Sequence, residues 1–409
     1  MQGSQCMTVV LALLTLGALK AYIDWSAVQP ERQPTSRGVG TAWPPSPISA
    51  AEALDNEELG LSLRLNASLQ LLRQNIPEAS AFWNRRQHQI FRALEGVAGN
   101  ASRWECGGDG GREAAAEIKD FSSYPVLYQR FLLHGDCRNY PLLVNQPAKC
   151  AGNRTFLLLA IKSVPGNFAA RQAVRETWGR EGNLGGLPVR TVFLLGSAQG
   201  SHEPDLRQLV EYESQLFRDV LMWDFEDTFF NLTLKDWLFL NWTVGHCPGA
   251  RFILKGDDDV FINTPKVLGY LGSLDTHTAQ TLYTGQVMAN ASPFRLRKSK
   301  YYVPESFYVG PYPAYAGGGG YVFSGRLVHR LLQVSQYIPF YPIDDVYTGL
   351  CFQGLGVHPQ AHPDFQTFDI AEKDREDPCV HNKLLLVHRR SPQQTVRLWR
   401  QLGDAQLQC

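Results

Sequence analysis

The chain has 409 residues, with 39 basic and 39 acidic side chains and therefore no formal net charge at pH 7. This balance excludes the basic surface that nucleic-acid-binding proteins carry, and a hydrophobic share of 44% excludes general disorder. Eight cysteines are too sparse for a small disulfide scaffold and form no CxxC pairs, which argues against a zinc module. The length predicts two or three domains, or one large α/β domain with additions.

The N-terminus carries an apolar run, Met7–Leu19, that continues past Lys20 to Trp25. A membrane span needs about 20 apolar residues, and the run approaches that length if Lys20 extends to the membrane surface and Trp25 lies among the headgroups. A cleaved signal peptide is the alternative, but no small-x-small cleavage site follows the run. We therefore predict a cytosolic tail over residues 1–6 and an uncleaved signal anchor over residues 7–25.

N-glycosylation tripeptides agree with a luminal location for the rest of the chain, although a few occur by chance in any long sequence. Five of them are clean, at Asn66, Asn100, Asn153, Asn231 and Asn241. A luminal location predicts that some cysteines are oxidised. Seven cysteines follow the anchor, so at least one is free or paired between chains. Our first choice of disulfide is Cys137–Cys150, although spacing alone does not determine connectivity.

The residues after the anchor divide into a stem, a helical region and a compact domain. Residues 26–50 are rich in Pro, Ser and Gly and predict an extended stem that cannot form a core. Residues 51–139 carry helical periodicity with a break near Pro77. The compact domain is predicted over residues 140–409.

Within the compact domain, apolar runs at 155–164, 189–196 and 251–255 predict buried strands, and a shorter strand is predicted at 219–223. Helices are predicted over 169–178, around 205–217 and from 231 to about 245. This alternation predicts a mainly parallel sheet with helices on both faces. Ligands of such sheets bind at the carboxyl ends of the strands.

An acidic triplet, Asp257-Asp258-Asp259, directly follows the strand predicted at 251–255. Apolar residues flank it on both sides, which predicts a tight turn between two strands rather than a solvated face. Three carboxylates cannot all be buried and ionised without a cation or hydrogen-bond donors. A charged turn is the alternative, but the position at a strand end favours a site for Mg²⁺ or Mn²⁺.

From about Tyr140 onward the sequence resembles luminal β-1,3-glycosyltransferases of the GT-A type. More narrowly, it is similar to the β-1,3-N-acetylglucosaminyltransferases that extend poly-N-acetyllactosamine. The matching stretches include RQAVRETWG at 171–179, FILKGDDDVFIN at 252–263, YPAYAGGGGYVFSG at 312–325, YPIDDVYTG at 341–349 and LLLVH at 384–388.

This resemblance implies a GT-A-type α/β fold with a mainly parallel, Rossmann-like sheet. It implies transfer of N-acetylglucosamine from UDP-GlcNAc, in β-1,3 linkage, to terminal galactose on glycoproteins or glycolipids. It also implies a type II Golgi membrane protein with a luminal catalytic domain. Cleavage in the stem would release a secreted form, and the protein would form homo-oligomers or hetero-oligomers with other transferases.

The resemblance assigns the catalytic base and the metal ligands. Asp345 is expected to be the base of an inverting reaction, with Asp344 capping the helix that follows. Capping by both acids is the alternative interpretation, while neighbouring acids and a dry cleft would raise the pKa of a base. Asp259 and His388 are expected to bind Mn²⁺, with Mg²⁺ as the alternative ion. His358 and His362 compete with His388 for this role but lack the match.

The remaining assignments concern the two substrates. The donor side is expected to include Asp257, Asp258, Lys162, Arg171, Gly318 and Gly319. Of these, Asp258 is favoured as structural, and Lys162 and Arg171 are expected to pair with the diphosphate. The acceptor side is expected to include Tyr301, Tyr315 and Gly320.

Two other functions remain open from sequence. One is β-1,3-galactosyl transfer from UDP-galactose, because sugar choice rests on a few contacts. The other is a catalytically silent luminal partner or lectin-like homologue. Retention of Asp257, Asp259, Asp345 and His388 argues against silence, since an inactive protein has no chemical need for all four.

Overall fold

The computed structural model describes residues 69–95, 110–135, 137–152, 155–197 and 204–409. All of them belong to one compact unit, Glu57–Cys409. The predicted tail, anchor and stem lie outside the described residues. None of the helices within the described ranges is long and apolar enough to cross a membrane.

Twelve strands form in the described part of the chain. They are β1 (Leu142–Val144), β2 (Leu157–Lys162), β3 (Gly182–Leu184), β4 (Leu187–Ser197), β5 (Val220–Glu226), β6 (Phe252–Asp257), β7 (Val260–Ile262), β8 (Tyr283–Met288), β9 (Tyr315–Ser324), β10 (Gln360–Ala361), β11 (Phe365–Gln366) and β12 (Leu386–His388). The strands predicted at 155–164, 189–196, 219–223 and 251–255 correspond to β2, β4, β5 and β6.

The same described residues contain helices on both faces of the sheet. They are α1 (Phe82–Glu95), α2 (Gly110–Glu117), α3 (Val126–His134), α4 (Phe168–Glu176), α5 (Arg207–Phe217), α6 (Leu232–His246), α7 (Thr264–Ser273), α8 (Thr276–Thr281), α9 (Val328–Ser335), α10 (Asp344–Gly354), α11 (Pro378–Lys383) and α12 (Pro392–Leu402). Short 3₁₀ turns lie at Phe121–Ser123, Phe229–Asn231, Gly325–Leu327 and Glu372–Asp374. The predicted helices correspond to α4, α5 and α6.

The main sheet has the strand order β1-β5-β4-β2-β6-β9-β8-β10, with β3 paired beside β4. Strands β5, β4, β2 and β6 run parallel to one another, as predicted, and β1 and β3 pair antiparallel with β5 and β4. On one side of them, β9 is antiparallel to both β6 and β8. A smaller sheet joins β11, β12 and β7. The sheet is therefore parallel at its centre and mixed beyond β6.

Strand β2 lies at the centre because its side chains are apolar on both faces. Leu158 and Ala160 pack into one hydrophobic core, and Leu157, Leu159 and Ile161 into the other. Successive side chains of a strand point to opposite faces, so an uninterrupted apolar run needs a core on each side. All of its residues are buried.

The helices before Tyr140 belong to the same hydrophobic core as the sheet. Trp83 of α1 is buried against Tyr308 and Tyr341, with ring centroids 5.4 and 5.6 Å apart. Tyr128 of α3 contacts Phe307 at 5.5 Å. The apolar faces of these helices cover one face of the sheet, so the fold has no break at residue 140.

The disulfides differ from the predicted pairing. Cys150 pairs with Cys247, 97 residues away, and Cys379 pairs with Cys409. The predicted Cys137–Cys150 bond is therefore wrong, because Cys150 already has another partner. Among the described cysteines, Cys351 is buried and unpaired, in agreement with the expectation of at least one free thiol.

Two predicted glycosylation sites fall on described residues and have different surroundings. Asn241 is exposed on α6. Asn231 is only 9% exposed, and its side-chain amide donates a 2.8 Å hydrogen bond to the backbone carbonyl of Glu226. The structure therefore argues against a glycan at Asn231. Asn66, Asn100 and Asn153 lie outside the described residues.

Candidate active site

A cavity of about 410 Å³ opens at the carboxyl ends of β2 and β6. It brings together most of the residues predicted to form the site: Lys162, Asp257, Asp258, Asp259, Tyr301, Gly318, Gly319, Asp345 and His388. Arg171, Tyr315 and Gly320 are not part of its lining. The cavity is also lined by five residues that were not predicted as site residues: Ser163, Asn167, Phe229, Phe368 and Arg389.

The acidic triplet forms the predicted turn. Strand β6 ends at Asp257, and β7 begins at Val260. Strand β12 runs antiparallel to β7 with His388 opposite Val260. This register carries a histidine from near the C-terminus to the acidic turn, more than a hundred residues earlier in the chain.

His388 and two acids of the turn form a group with the composition of a metal site. His388 Nε2 lies 3.1 Å from Asp259 Oδ1 and 3.8 Å from Asp257 Oδ2. One ligand atom from each residue lies within 4.8 Å of the other two. The other ring nitrogen, Nδ1, donates a 2.8 Å hydrogen bond to the Thr367 carbonyl. In the neutral ring the proton is therefore on Nδ1, and Nε2 has the lone pair that a metal ion would bind.

The charges of this group fit a cation. Burial disfavours a charged ring, yet the hydrogen bond to Asp259 and the charges of Asp259 and Asp257 raise the pKa of His388 above its usual value. Burial also opposes ionisation of Asp259, but the hydrogen bond with His388 lowers the pKa of that carboxyl. Carboxylate oxygens with one imidazole nitrogen suit Mn²⁺ or Mg²⁺. Asp257, predicted on the nucleotide side, is here a candidate ligand.

Asp258 faces away from this group and holds the neighbouring loop. Its Oδ2 accepts hydrogen bonds from Ser163 Oγ at 2.6 Å and from Asn167 Nδ2 at 2.9 Å. Both donors lie between β2 and α4. The favoured structural role of the middle acid agrees with these contacts.

Lys162 does not have the predicted environment for pairing with a diphosphate. Its ammonium lies 2.8 Å from Asp344 Oδ2, 3.1 Å from Asp257 Oδ1 and 3.1 Å from the Gly318 carbonyl. The contacts with Asp344 and Gly318 are hydrogen bonds, the contact with Asp257 is an ion pair, and the side chain is 5% exposed. Lys162 therefore connects the metal-site acid to the start of α10.

Arg171 is also a structural residue, contrary to the prediction. It is fully buried, and its guanidinium contacts Glu213 at 2.7 to 3.2 Å through Nε and Nη2. It also donates to the backbone carbonyls of Val164 and Pro165 at 2.7 and 3.0 Å. No surface of this side chain remains for a donor.

The glycine run lies on β9 between the two groups of functional side chains. A Cβ at Gly318 would lie 3.3 Å from Asp345 Oδ2, and one at Gly319 would lie 3.3 Å from the His388 ring. Gly318 also donates its N–H to Asp345 Oδ2 at 3.0 Å. Glycine therefore lets Asp345 and His388 both lie directly against the strand.

Two residues assigned to the acceptor side lie outside the cavity lining. A Cβ at Gly320 would lie 2.2 Å from Leu386, so this glycine packs against the smaller sheet and not against a ligand. Tyr315 packs on Tyr312, with ring centroids 6.4 Å apart, outside the cavity lining. Tyr301 does line the cavity, and its ring lies 5.6 Å from that of Phe229.

The two acids that begin α10 have different environments. Burial opposes ionisation of Asp344, but the contact with Lys162 lowers the pKa of its carboxyl. Burial and the charge of Asp344 raise the pKa of Asp345 to about 7. The Asp344 carboxylate accepts a 2.8 Å hydrogen bond from Lys162, and at the start of α10 Asp345 Oδ1 accepts the Val346 N–H at 2.8 Å. A carboxyl poised near neutral pH has the property that a general base needs.

The chain is similar to a known protein family and to several curated proteins. A family model described as Galactosyltransferase matches residues 169–363. The mouse N-acetyllactosaminide β-1,3-N-acetylglucosaminyltransferase 2 is 46% identical over 342 residues, which cover 80% of this chain and 86% of that protein. The human UDP-GlcNAc:βGal β-1,3-N-acetylglucosaminyltransferase 8 is 43% identical over 420 residues, and the match covers both chains entirely.

The human acetylgalactosaminyl-O-glycosyl-glycoprotein β-1,3-N-acetylglucosaminyltransferase is 42% identical over 305 residues, which cover 72% of this chain and 79% of that protein. Among solved structures, a glycosyltransferase involved in glycosylation of the major capsid of PBCV-1 matches with a TM-score of 0.31 and 11% identity, covering 59% of this chain and 98% of that one. That likeness is too low to support an argument. The identities to the curated proteins show that the chain is a glycosyltransferase and belongs to the β-1,3-N-acetylglucosaminyltransferase family.

Proposed function

We propose that the protein transfers N-acetylglucosamine from UDP-GlcNAc to the 3-hydroxyl of a terminal β-galactose, extending poly-N-acetyllactosamine. The observation that carries the proposal is the shared cavity, in which Asp345 and the group Asp257, Asp259 and His388 all face one space. The names of the relatives at 43 to 46% identity supply the donor and the linkage.

The reaction follows from the position of Asp345. Its carboxylate removes the proton of the acceptor 3-hydroxyl as that oxygen forms a bond to C1 of the donor sugar. The bond from C1 to the UDP oxygen breaks on the opposite face, so an α-linked donor gives a β-linked product without a covalent intermediate. The Gly318 N–H fixes the carboxylate, and the aromatic ring of Tyr301 offers a surface for a sugar ring.

Asp259, His388 and Asp257 would hold Mn²⁺, with Mg²⁺ as the alternative. The ion would neutralise charge that develops on the departing diphosphate. Two neighbouring residues position these ligands. The Thr367 carbonyl orients the imidazole of His388, and Lys162 forms an ion pair with Asp257.

A second candidate activity is β-1,3-galactosyl transfer from UDP-galactose. The matched family is described as Galactosyltransferase, which supports this candidate. A silent luminal partner is a weaker candidate, because Asp345 lines the same cavity as Asp257, Asp259 and His388, whose ligand atoms lie within 4.8 Å of one another.

The location in the cell is part of the proposal. The apolar run at residues 7–25 would anchor a type II protein in the Golgi membrane, with the described unit in the lumen. The disulfides Cys150–Cys247 and Cys379–Cys409 support an oxidising compartment. N-terminal sequencing of the membrane-bound protein tests this: a mature start between Ala18 and Val28 would mean a cleaved signal peptide.

A donor screen tests the activity. A soluble fragment from residue 50 onward would be given UDP-GlcNAc or UDP-galactose with lactose and N-acetyllactosamine as acceptors, and Asp345→Asn would serve as the inactive control. We expect transfer from UDP-GlcNAc and a β-1,3 linkage in the product by NMR. Preference for UDP-galactose would select the second activity, and no transfer from any donor would favour the silent partner.

A further inference from the structure

Arg389 lies where two cavities meet. Besides the active-site cavity, a second cavity of about 460 Å³ lies beside the starts of α4 and α12. Arg389, Asp258 and Asp259 line both. Arg389 therefore stands at the acidic turn with open space on either side, one position after the candidate metal ligand His388.

The backbone at Arg389 is unusual and is held in place by its neighbour. Arg389 has a φ of +62°, a conformation that non-glycine residues rarely adopt and that is enriched at functional sites. The buried Arg390 donates from Nη1 to the carbonyls of Arg389 and His388, at 2.8 and 3.1 Å. Its own N–H donates to the Asp259 carbonyl at 2.7 Å. The base of the Arg389 side chain is thus fixed to the acidic turn.

The guanidinium of Arg389 is exposed and forms no ion pair or hydrogen bond with any residue in the described part of the chain. The two cations expected to bind the diphosphate are occupied elsewhere. Lys162 is surrounded by three acceptors, and Arg171 is fully buried against Glu213. Two further lysines line the active-site cavity. Lys235 is buried and donates to Asp227 Oδ2 at 2.8 Å and to the Ser163 carbonyl at 2.7 Å. Lys300 lies over the rings of Phe229 and Tyr301.

We propose that Arg389 binds the diphosphate of the nucleotide-sugar donor; this rests on the function proposed above. The donor sugar must reach Asp345 in the first cavity, and its diphosphate must lie at Asp257, Asp259 and His388. A residue directly after His388, with space on both sides, can direct its guanidinium at the phosphate oxygens. The planar fork of arginine matches two phosphate oxygens at once, which a lysine cannot do.

Calorimetric titration of the full chain with UDP and with uridine, in Mn²⁺, tests this assignment. Arg389→Gln removes the charge and keeps most of the length, and Arg389→Lys keeps the charge without the fork. Arg326→Ala is the matched control, because this exposed arginine follows β9 at the end away from Gly318.

We expect Arg389→Gln to weaken UDP binding about 10- to 100-fold, the range for lost charge-assisted hydrogen bonds, and to change uridine binding less than twofold. The UDP affinity of Arg389→Lys should lie between those of the wild type and Arg389→Gln. Arg326→Ala should bind UDP and uridine as the wild type does. Unchanged UDP affinity in Arg389→Gln, or an equal loss for uridine, would overturn the assignment while leaving the proposed function standing. Failure of the wild type to bind UDP would overturn both.

Discussion

Asp345→Asn should inactivate the enzyme and, above neutral pH, stabilise it. The substitution keeps the size of the side chain but removes the base, so turnover should fall by a factor of ~10²–10⁴ with UDP-GlcNAc binding nearly unchanged. The two carboxylate oxygens of Asp345 accept the N–H groups of Gly318 and Val346 at 3.0 and 2.8 Å. An amide can replace only one of these acceptors, which costs about 1 kcal/mol.

The gain in stability comes from the raised pKa. Burial and the charge of Asp344 raise the pKa of Asp345 from 3.8 to about 7. At about 1.4 kcal/mol per pH unit, the ionised carboxylate costs the folded state about 4 kcal/mol. The folded protein holds the proton of Asp345 more tightly than the unfolded chain does. Protonation of Asp345 therefore contributes fully to the stability of the fold below pH about 4, and this contribution is lost as the pH rises toward 7.

Urea unfolding of the metal-free wild type and variant measures this difference. At pH 8 the variant should be more stable than the wild type by about 3 kcal/mol. It avoids the cost of about 4 kcal/mol for the ionised Asp345 carboxylate but loses a hydrogen bond of about 1 kcal/mol. At pH 4.5 the avoided cost of ionisation is only about 1 kcal/mol, which the lost hydrogen bond cancels, so the variant and the wild type should be equally stable. For the wild type, kcat/KM should fall as the pH drops below about 7, because the base becomes protonated.

Asp344→Asn is the control. Its carboxylate pairs with the buried Lys162, so the variant should be less stable at both pH values. Loss of turnover in Asp344→Asn with turnover retained in Asp345→Asn would show that the base has been assigned to the wrong acid. An Asp345→Asn variant whose stability follows the wild-type pH dependence would refute the pKa argument.

EDTA should abolish transfer and Mn²⁺ restore it, and Asp259→Ala should weaken UDP binding in calorimetry; full activity of metal-stripped protein would end the metal assignment. Arg171→Met should lower the free energy of unfolding by about 3 kcal/mol without changing the UDP affinity of the folded protein; a selective loss of UDP affinity would restore its donor role. Cys150→Ser opens a loop of 97 residues and should lower the melting temperature, at a cost of about 4–5 kcal/mol; an unchanged melting temperature would contradict the pairing. Asn241→Gln should remove a glycan in gel-shift assays of the secreted fragment, and Asn231→Gln should not, since its side chain is buried.

The parallel centre of the sheet could be predicted because its strands have a strong local pattern. Strands β2, β4 and β6 are buried on both faces, and an unbroken apolar run is the sequence pattern of such strands. The acidic turn was predictable for the same reason, since apolar strands enclose it. The antiparallel strand β9 could not be predicted, because its four glycines carry no alternation of apolar and polar residues. Its role also depends on Asp345 and His388, which lie against it only in the folded protein.

The errors concern residues whose environment depends on distant parts of the chain. Arg171 is charged, yet its partner Glu213 lies 42 residues away on another helix. Lys162 meets Asp344 across 182 residues. The predicted partner of Cys150 is its neighbour in sequence, Cys137, whereas the partner in the structure is Cys247, 97 residues away. Side-chain type shows that a buried charge needs a partner, but only the packing of helices and strands identifies it.

The pairing of β12 with β7 has a consequence for how the protein is made. Every strand of the main sheet precedes residue 362, so the sheet can form before the ribosome has released the C-terminal segment. His388 and Arg390 arrive only with that last segment, which the Cys379–Cys409 disulfide then closes on itself. A chain cut short by a late stop codon would contain every strand of the main sheet and Asp345 but would lack the histidine. Catalytic activity would thus report that the C-terminal segment has been translated and that β12 has paired with β7.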